Sequence, residues 1–257
     1  MDSKVYKRTP IKYPILDKLL PETRDYLSQA NSILREFSKK NWPLQDPRAF
    51  CTTEKFNELF RHPLSDHYSA WNDYRVPDER TNNERDAVEP VETLLRNHIA
   101  NADVKCKPSE LFQESSSLVL GIDSKIRSGS IGVCQDINGS RVIFISQEEL
   151  NPALNKLEKY IKNKLTTSPD ILGAVTVAAA LLNAHPLTDG NGRLSRILMN
   201  VFFQCRRHNY VPLYEFHTNS AGGFVIRLRA AEIFNEWDEI VQFYCRVIFC
   251  MACRDIG

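Results

Sequence analysis

His185-Pro186-Leu187-Thr188-Asp189-Gly190-Asn191-Gly192-Arg193-Leu194-Ser195-Arg196 joins two apolar stretches of the chain. Before it, Asp170 to Ala184 is apolar nearly all round, the pattern of a helix buried on every side. Ser168-Pro169-Asp170 supplies an N-cap, a proline for the first helical position and an acidic first turn. After it, Arg193 to His208 carries Leu194, Ile197, Leu198, Val201, Phe202 and Cys205 at three- and four-residue spacing. Two central helices joined by a glycine-rich turn are therefore expected. The first should deliver His185 to the turn, where Pro186 stops it.

The turn has its own chemistry. Gly190, Asn191 and Gly192 permit close backbone approach and positive φ, so their N–H groups can form a concave nest where the second helix begins. A helix start of that kind suits phosphate, and Arg193 and Arg196, three residues apart, can reach the outer oxygens of a polyphosphate. Asp189 beside the nest is a carboxylate placed as Mg²⁺ requires, since that ion takes one or two protein carboxylates together with phosphate oxygens and waters. An imidazole titrates near neutrality, so His185 can accept the proton of an attacking hydroxyl.

Outward from the motif, periodicity predicts further helices. They fall at Leu20 to Asn41, at Thr53 to Arg61, at Val88 to Ala100, from Ser109 as N-cap to Leu120, at Asn151 to Lys164, and at Ala230 to Met251. The period changes between Ile131 and Ile145. Ile131, Val133 and Ile137 precede Asn138-Gly139, and Val142 to Ile145 follow, a strong signal for a β-hairpin. The polar run Val76 to Asp86 reads as a linker or long surface loop. This divides the chain into an N-terminal helical region, 1–86, without an assigned role, and a catalytic region, 87–257. His62-Pro63-Leu64-Ser65-Asp66 echoes the start of the central motif but lacks the glycine cradle, and reads as a loop.

Composition narrows the function classes. The 257 residues carry a formal net charge of +1, with Lys and Arg dispersed, which argues against a nucleic-acid binder and for a protein partner. The first twelve residues show no apolar leader, and Ile171 to Leu182 is too short for a bilayer, so a soluble protein is expected, cytoplasmic in a bacterium or in a host cytosol if a secreted effector. Seven scattered cysteines suggest a reducing compartment. Cys250-Met251-Ala252-Cys253 lacks a second ligand pair and reads as thiols at the end of an apolar helix rather than as a metal site.

The central stretch resembles the signature of the Fic (Fido) family, His-Pro-Phe-x-[Asp/Glu]-Gly-Asn-Gly-Arg-x-x-Arg, with Leu187 at the Phe position. The resemblance spans roughly residues 88–250. It implies a mainly α fold, a helical bundle with a small β-hairpin flap beside the active site that holds a segment of a target protein by strand addition. It implies transfer of AMP from ATP to a target hydroxyl, with His185 as base and Mg²⁺ held by Asp189. Asn191 with the backbone of Gly190 and Gly192 would stabilise the transferred phosphate, while Arg193 and Arg196 orient the outer phosphates. Doc-type kinases carry Ala and Lys where this chain has Gly190 and Gly192, so the AMP-transferring branch is the nearer one. Transfer of phosphocholine or UMP, and a binding module without activity, are the alternatives. Many family members restrain themselves through [Ser/Thr]-x-x-x-Glu-[Gly/Asn], whose Glu pairs with the second motif Arg; others use a separate antitoxin. The nearest match here is Ser32 to Phe37, which nominates Glu36 as a partner for Arg196.

Overall fold

A computed structural model describes residues 5–37, 52–65, 78–100, 107–132, 141–165 and 168–252. Strand β1 (Val5–Lys7) is followed by helices α1 (Pro21–Phe37), α2 (Thr53–Phe60), α3 (Asp78–Ala100) and α4 (Pro108–Leu120). Strand β2 (Arg141–Ile143) leads into α5 (Gln147–Lys164), α6 (Ile171–Ala184), α7 (Asn191–Phe202), α8 (Leu213–Asn219) and α9 (Gly223–Arg229). A π-helical turn at Ala230–Phe234 precedes α10 (Asp238–Met251). The fold is mainly α, as the sequence indicates.

Helices α6 and α7 form the central pair. Asp170 fastens the antiparallel arrangement: its N–H donates to the Phe202 carbonyl at the far end of α7 (3.1 Å). Its carboxylate accepts from Gly173 N–H (2.9 Å), so Asp170 is the N-cap rather than a first-turn residue. Buried Asn200 joins α7 to the chain beyond it, accepting from Val211 N–H (2.8 Å) and donating to the Val211 carbonyl (3.1 Å). Two other starts also differ from the sequence reading for reasons of capping. Ser146 and Glu149 bond each other's backbone N–H, which begins α5 at Gln147, four residues before Asn151. Helix α4 has Pro108 in its first turn, with Lys107 N–H donating to Glu110, so Ser109 lies inside the helix.

The N-terminal helix belongs to the same core. Leu27, Ala30, Ile33 and Leu34 of α1 are buried in one apolar cluster with residues of α6, α7 and α10. Asn31 Oδ1 accepts from Ile171 N–H (3.1 Å), and Thr23 accepts from Gln242 (2.8 Å). The boundary placed after residue 86 runs through α3, which begins at Asp78 where a linker was expected. At the other end, the single helix expected over Ala230 to Met251 is split. Asn235 in the left-handed region (φ 60°) ends the π turn, and α10 starts only after Trp237. Short helices α8 and α9 precede it, unforeseen in the sequence.

The turn Asn138-Gly139 of the expected hairpin lies outside the described residues. Its base is antiparallel, with Gly132 opposite Ile143 and Phe144 N–H donating to the Ile131 carbonyl (3.0 Å). The other side of β2 is taken by β1, in parallel, with Tyr6 opposite Val142. β2 is thus an inner strand, and the outer one comes from the chain's own N-terminal segment.

Candidate active site

The signature sits where α6 ends and α7 begins. His185 is the C-cap of α6 in the left-handed region (φ 45°, ψ 56°), a conformation costly for a non-glycine residue unless its surroundings impose it. Arg127 is one of those surroundings. Buried, it donates to the carbonyls of His185 (2.9 Å), Ala184 (3.2 Å), Ile145 (2.7 Å) and Gly129 (2.7 Å), so one guanidinium closes the helix end and ties it to the chain around β2. Pro186 and Thr188 then pair with Arg127 and Lys125 through backbone bonds of 2.8 and 3.0 Å. Nothing in the sequence pattern singles out Arg127.

The imidazole stacks on Phe144, next to β2, with ring centroids 4.1 Å apart and planes at 21°. Burial pushes its pKa down to about 4; Arg8 and Arg127 push in the same direction, against the pull of the Leu182 carbonyl. At neutral pH the ring is therefore an uncharged proton acceptor.

Gly190 opens α7 at φ 89°, and a Cβ there would lie 2.6 Å from Ser116 Oγ, so only glycine fits this turn. The first backbone bond of the helix runs from Leu194 N–H to the Gly190 carbonyl (2.8 Å). The N–H groups of Asn191, Gly192 and Arg193 consequently have no acceptor within the helix, an arrangement that suits an anion. The Asn191 side chain accepts from Leu187 N–H (3.0 Å) and donates to the Leu187 carbonyl (2.8 Å), which locks the loop. Leu187 itself is fully buried and fills the anchor position.

Asp189 is exposed and pairs with Arg193 (2.9 Å). Among the described residues no three His, Cys, Asp or Glu side chains converge as a protein-built metal cage. A lone exposed carboxylate beside a phosphate cradle nevertheless fits Mg²⁺, which needs little else from the protein once phosphates and waters complete its shell.

Arg196 is buried and fully engaged, though not by Glu36. Glu84 of α3, 0% exposed, accepts from Arg196 Nε (2.9 Å) and Nη2 (2.5 Å) in a bidentate pair. Tyr210 Oη donates to the same carboxylate (3.0 Å), and the Tyr214 ring lies 4.7 Å from the guanidinium. Burial opposes the arginine charge, and Glu84 more than restores it. Glu36 lies exposed near the end of α1.

A groove of about 1100 Å³ is bordered by Tyr6 and Val142 of the β1–β2 ribbon and by Ile233, Phe234 and Trp237. None of the signature residues lines it. In α10, Cys245 and Cys250 are buried thiols, and Cys253 lies outside the described residues.

A buried-helix hairpin thus carries an uncharged histidine beside a helix start whose first N–H groups have no acceptor within the helix. Residues 105–203 match the model of the Fic/DOC family. The chain is 31% identical over 128 residues, 44% of its length, to a Nematostella vectensis protein named "Protein adenylyltransferase Fic". The match spans only 30% of that relative. A Fic family protein from Desulfovibrio desulfuricans G20 superposes with a TM-score of 0.55 at 14% identity, over 92% of this chain and 74% of that one. Fic-1 (residues 134–508) from C. elegans gives 0.49 at 18% identity, over 88% and 69%. Among the described residues, no helix is long and apolar enough to cross a membrane.

Proposed function

We propose that the chain is a protein adenylyltransferase that moves AMP from ATP to a Ser, Thr or Tyr hydroxyl of a target protein and is restrained by its own Glu84. The observation that carries the reaction is the uncharged His185 at the end of α6, joined by one short turn to the free N–H groups that open α7. The name of the Nematostella relative supports the choice of nucleotide.

In the reaction, the target hydroxyl oxygen bonds to the α-phosphorus as the bond from that phosphorus to the bridging oxygen breaks. Pyrophosphate leaves, and the hydroxyl proton passes to His185. The backbone N–H groups of Asn191, Gly192 and Arg193 stabilise negative charge on the phosphates. Asp189 would hold Mg²⁺, which would supply neutralisation of phosphate charge, and Arg193, its partner here, would reach the outer phosphates. Arg196 would hold the terminal phosphate, but its fork is filled by Glu84, so ATP lacks that contact until the carboxylate withdraws. Restraint of this kind needs no separate inhibitor. A target segment joining the flap by strand addition would pair with the outer edge of β1, where Val5, Tyr6 and Lys7 are exposed.

The test compares wild type, Glu84→Gly and Glu84→Gly with His185→Ala, incubated with a cell lysate and a panel of labelled donors: ATP, UTP and CDP-choline. Glu84→Gly should raise labelling from ATP, about tenfold or more if an arginine–phosphate contact is regained. Adding His185→Ala should abolish it while ATP binding persists. Labelling from another donor would change the assignment, and absence of transfer from every donor would make the domain a binding module.

A further inference from the structure

We propose that Arg8 is a positioning residue for the transfer reaction, a pin that holds the catalytic imidazole and the flap strand against the end of α6. The proposal rests on the reading of His185 as the base. Four contacts carry it. Arg8 N–H donates to the Ile143 carbonyl (2.8 Å), extending the β1–β2 ladder by one bond. Its Nη1 donates to the Leu182 carbonyl in the last turn of α6 (3.0 Å). Its Nη2 lies 2.6 Å from Glu232 Oε2 in the π turn, the two side chains being 7% and 0% exposed. Its guanidinium carbon stands 4.6 Å from the centroid of Phe144, the ring on which His185 stacks. Next to it, Asn183 of α6 donates to the Thr9 carbonyl (2.9 Å), so the segment is fixed on both sides of Arg8.

An apolar side chain would fill this space at lower cost, because a buried guanidinium–carboxylate pair loses more hydration than it usually regains. What the charge adds is specific to the end of a helix. The last carbonyls of α6 have no partners within the helix and carry the negative end of its dipole. Arg8 takes the Leu182 carbonyl while Arg127 takes those of Ala184 and His185. The two arginines thus clamp the turn in which His185 holds its left-handed backbone. They are also the charged groups that face its ring, Arg8 from the chain just after β1 and Arg127 from the chain preceding β2; Phe144, from the flap, is uncharged. Glu232 faces Arg8 and offsets part of its field. Arg8 accordingly sets both the orientation of the base and the proton-accepting form in which it waits.

Arg8→Met, Arg8→Lys and Glu232→Gln would be made in the 257-residue chain carrying Glu84→Gly, with two readouts. The first is self-modification with labelled ATP as a function of pH; the second is NMR titration of the His185 ring without nucleotide. Arg8→Met should lower kcat about tenfold with KM for ATP little changed, since the pin touches the base and not the donor. The acid limb of kcat/KM and the His185 titration should both move up by roughly half to one pH unit, because a positive neighbour that opposes protonation has gone. Arg8→Lys should restore the titration, having the charge, but recover kcat only in part, lacking the fork. Glu232→Gln should leave the titration in place or move it down, as the Arg8 charge loses its neutraliser. General loosening of the site would instead move Arg8→Met and Glu232→Gln the same way, and that result would overturn the proposal. So would an unmoved His185 titration in Arg8→Met. Absence of transfer in the Glu84→Gly parent would sink the adenylyltransferase reading separately.

Discussion

His185 shows how far a single residue can be read without its neighbours. Its place at the end of a buried helix, before a glycine turn, follows from periodicity and from Pro186. Its electrostatic setting does not, because Arg8 and Arg127 reach it from remote parts of the chain through backbone pairing that leaves no periodic trace. Asn191 was legible as a motif residue, but its side chain serves Leu187, a choice fixed by local turn geometry. The depressed imidazole yields a sign as well as a site. Its folded pKa of about 4 lies below the ordinary 6.5, so the unfolded chain takes up the proton first on acidification. The stability linked to His185 is fully present above pH 6.5 and is lost as the pH falls towards 4. Glu232, pushed by burial up to about 7, acts oppositely, its contribution being present below its ordinary 4.5 and lost as the pH rises through 7. Comparison with His185→Ala isolates the first effect. In urea unfolding between pH 4 and 6.5 the variant should lack a dependence worth up to about 3 kcal/mol, at about 1.4 kcal/mol for each pH unit. Parallel curves for the two proteins would show that the imidazole is not held uncharged.

At the scale of the element, α3 carries the feature that sequence reading misplaced. Glu84 lacks the flanking residues of the inhibitory pattern: Arg85 follows it where Gly or Asn is usual, and Arg80 stands four residues before it. It also lies in a polar run that reads as a linker. The helical register nevertheless contains the clue, since Val88, Val91 and Leu95 form the buried stripe of α3 and one more step back along that stripe ends on Glu84. A lone carboxylate on an apolar stripe needs a buried cation, and Arg196 is its partner from α7. The pair has opposite consequences for stability and for activity. Glu84→Ala leaves a buried guanidinium without its counter-charge and Tyr210 without its acceptor, which should cost about 3–5 kcal/mol while freeing Arg196 for phosphate. Glu36→Gly, at an exposed position of α1, should cost about 1 kcal/mol through helix propensity and leave transfer unchanged. Thermal denaturation and self-labelling of both variants test the assignment. Activation by Glu36→Gly, or a stable but unactivated Glu84→Ala, would contradict it.

At the scale of the whole molecule, the polar run before Val88 misled because composition reports solvent preference averaged over all faces, whereas one buried face suffices to make a segment part of a core. The N-terminal third is bound into the catalytic region by α1 against α6 and α10, by Arg227 donating to the Phe60 carbonyl at the end of α2 (2.8 Å), by Glu84 on Arg196 and by Arg8 on Leu182. A fragment beginning at residue 87 would lose the buried side chains of Leu27, Ile33, Leu34, Phe56, Leu59 and Phe60, each worth about 1.5–3 kcal/mol in transfer from water. It would also leave Arg196 buried without a counter-charge. That loss equals or exceeds the roughly 5–15 kcal/mol by which a domain is ordinarily stable. The 87–257 fragment should therefore show no cooperative thermal transition and should bind a dye for exposed apolar surface, whereas the full chain unfolds in one step. Adding purified residues 1–86 in trans should not restore the transition, because closing these contacts between two chains costs translational freedom that the intact chain does not lose. A sharp transition in the isolated fragment would establish a domain boundary inside α3 and make the contacts of Glu84 and Arg8 an interface between separately folded parts.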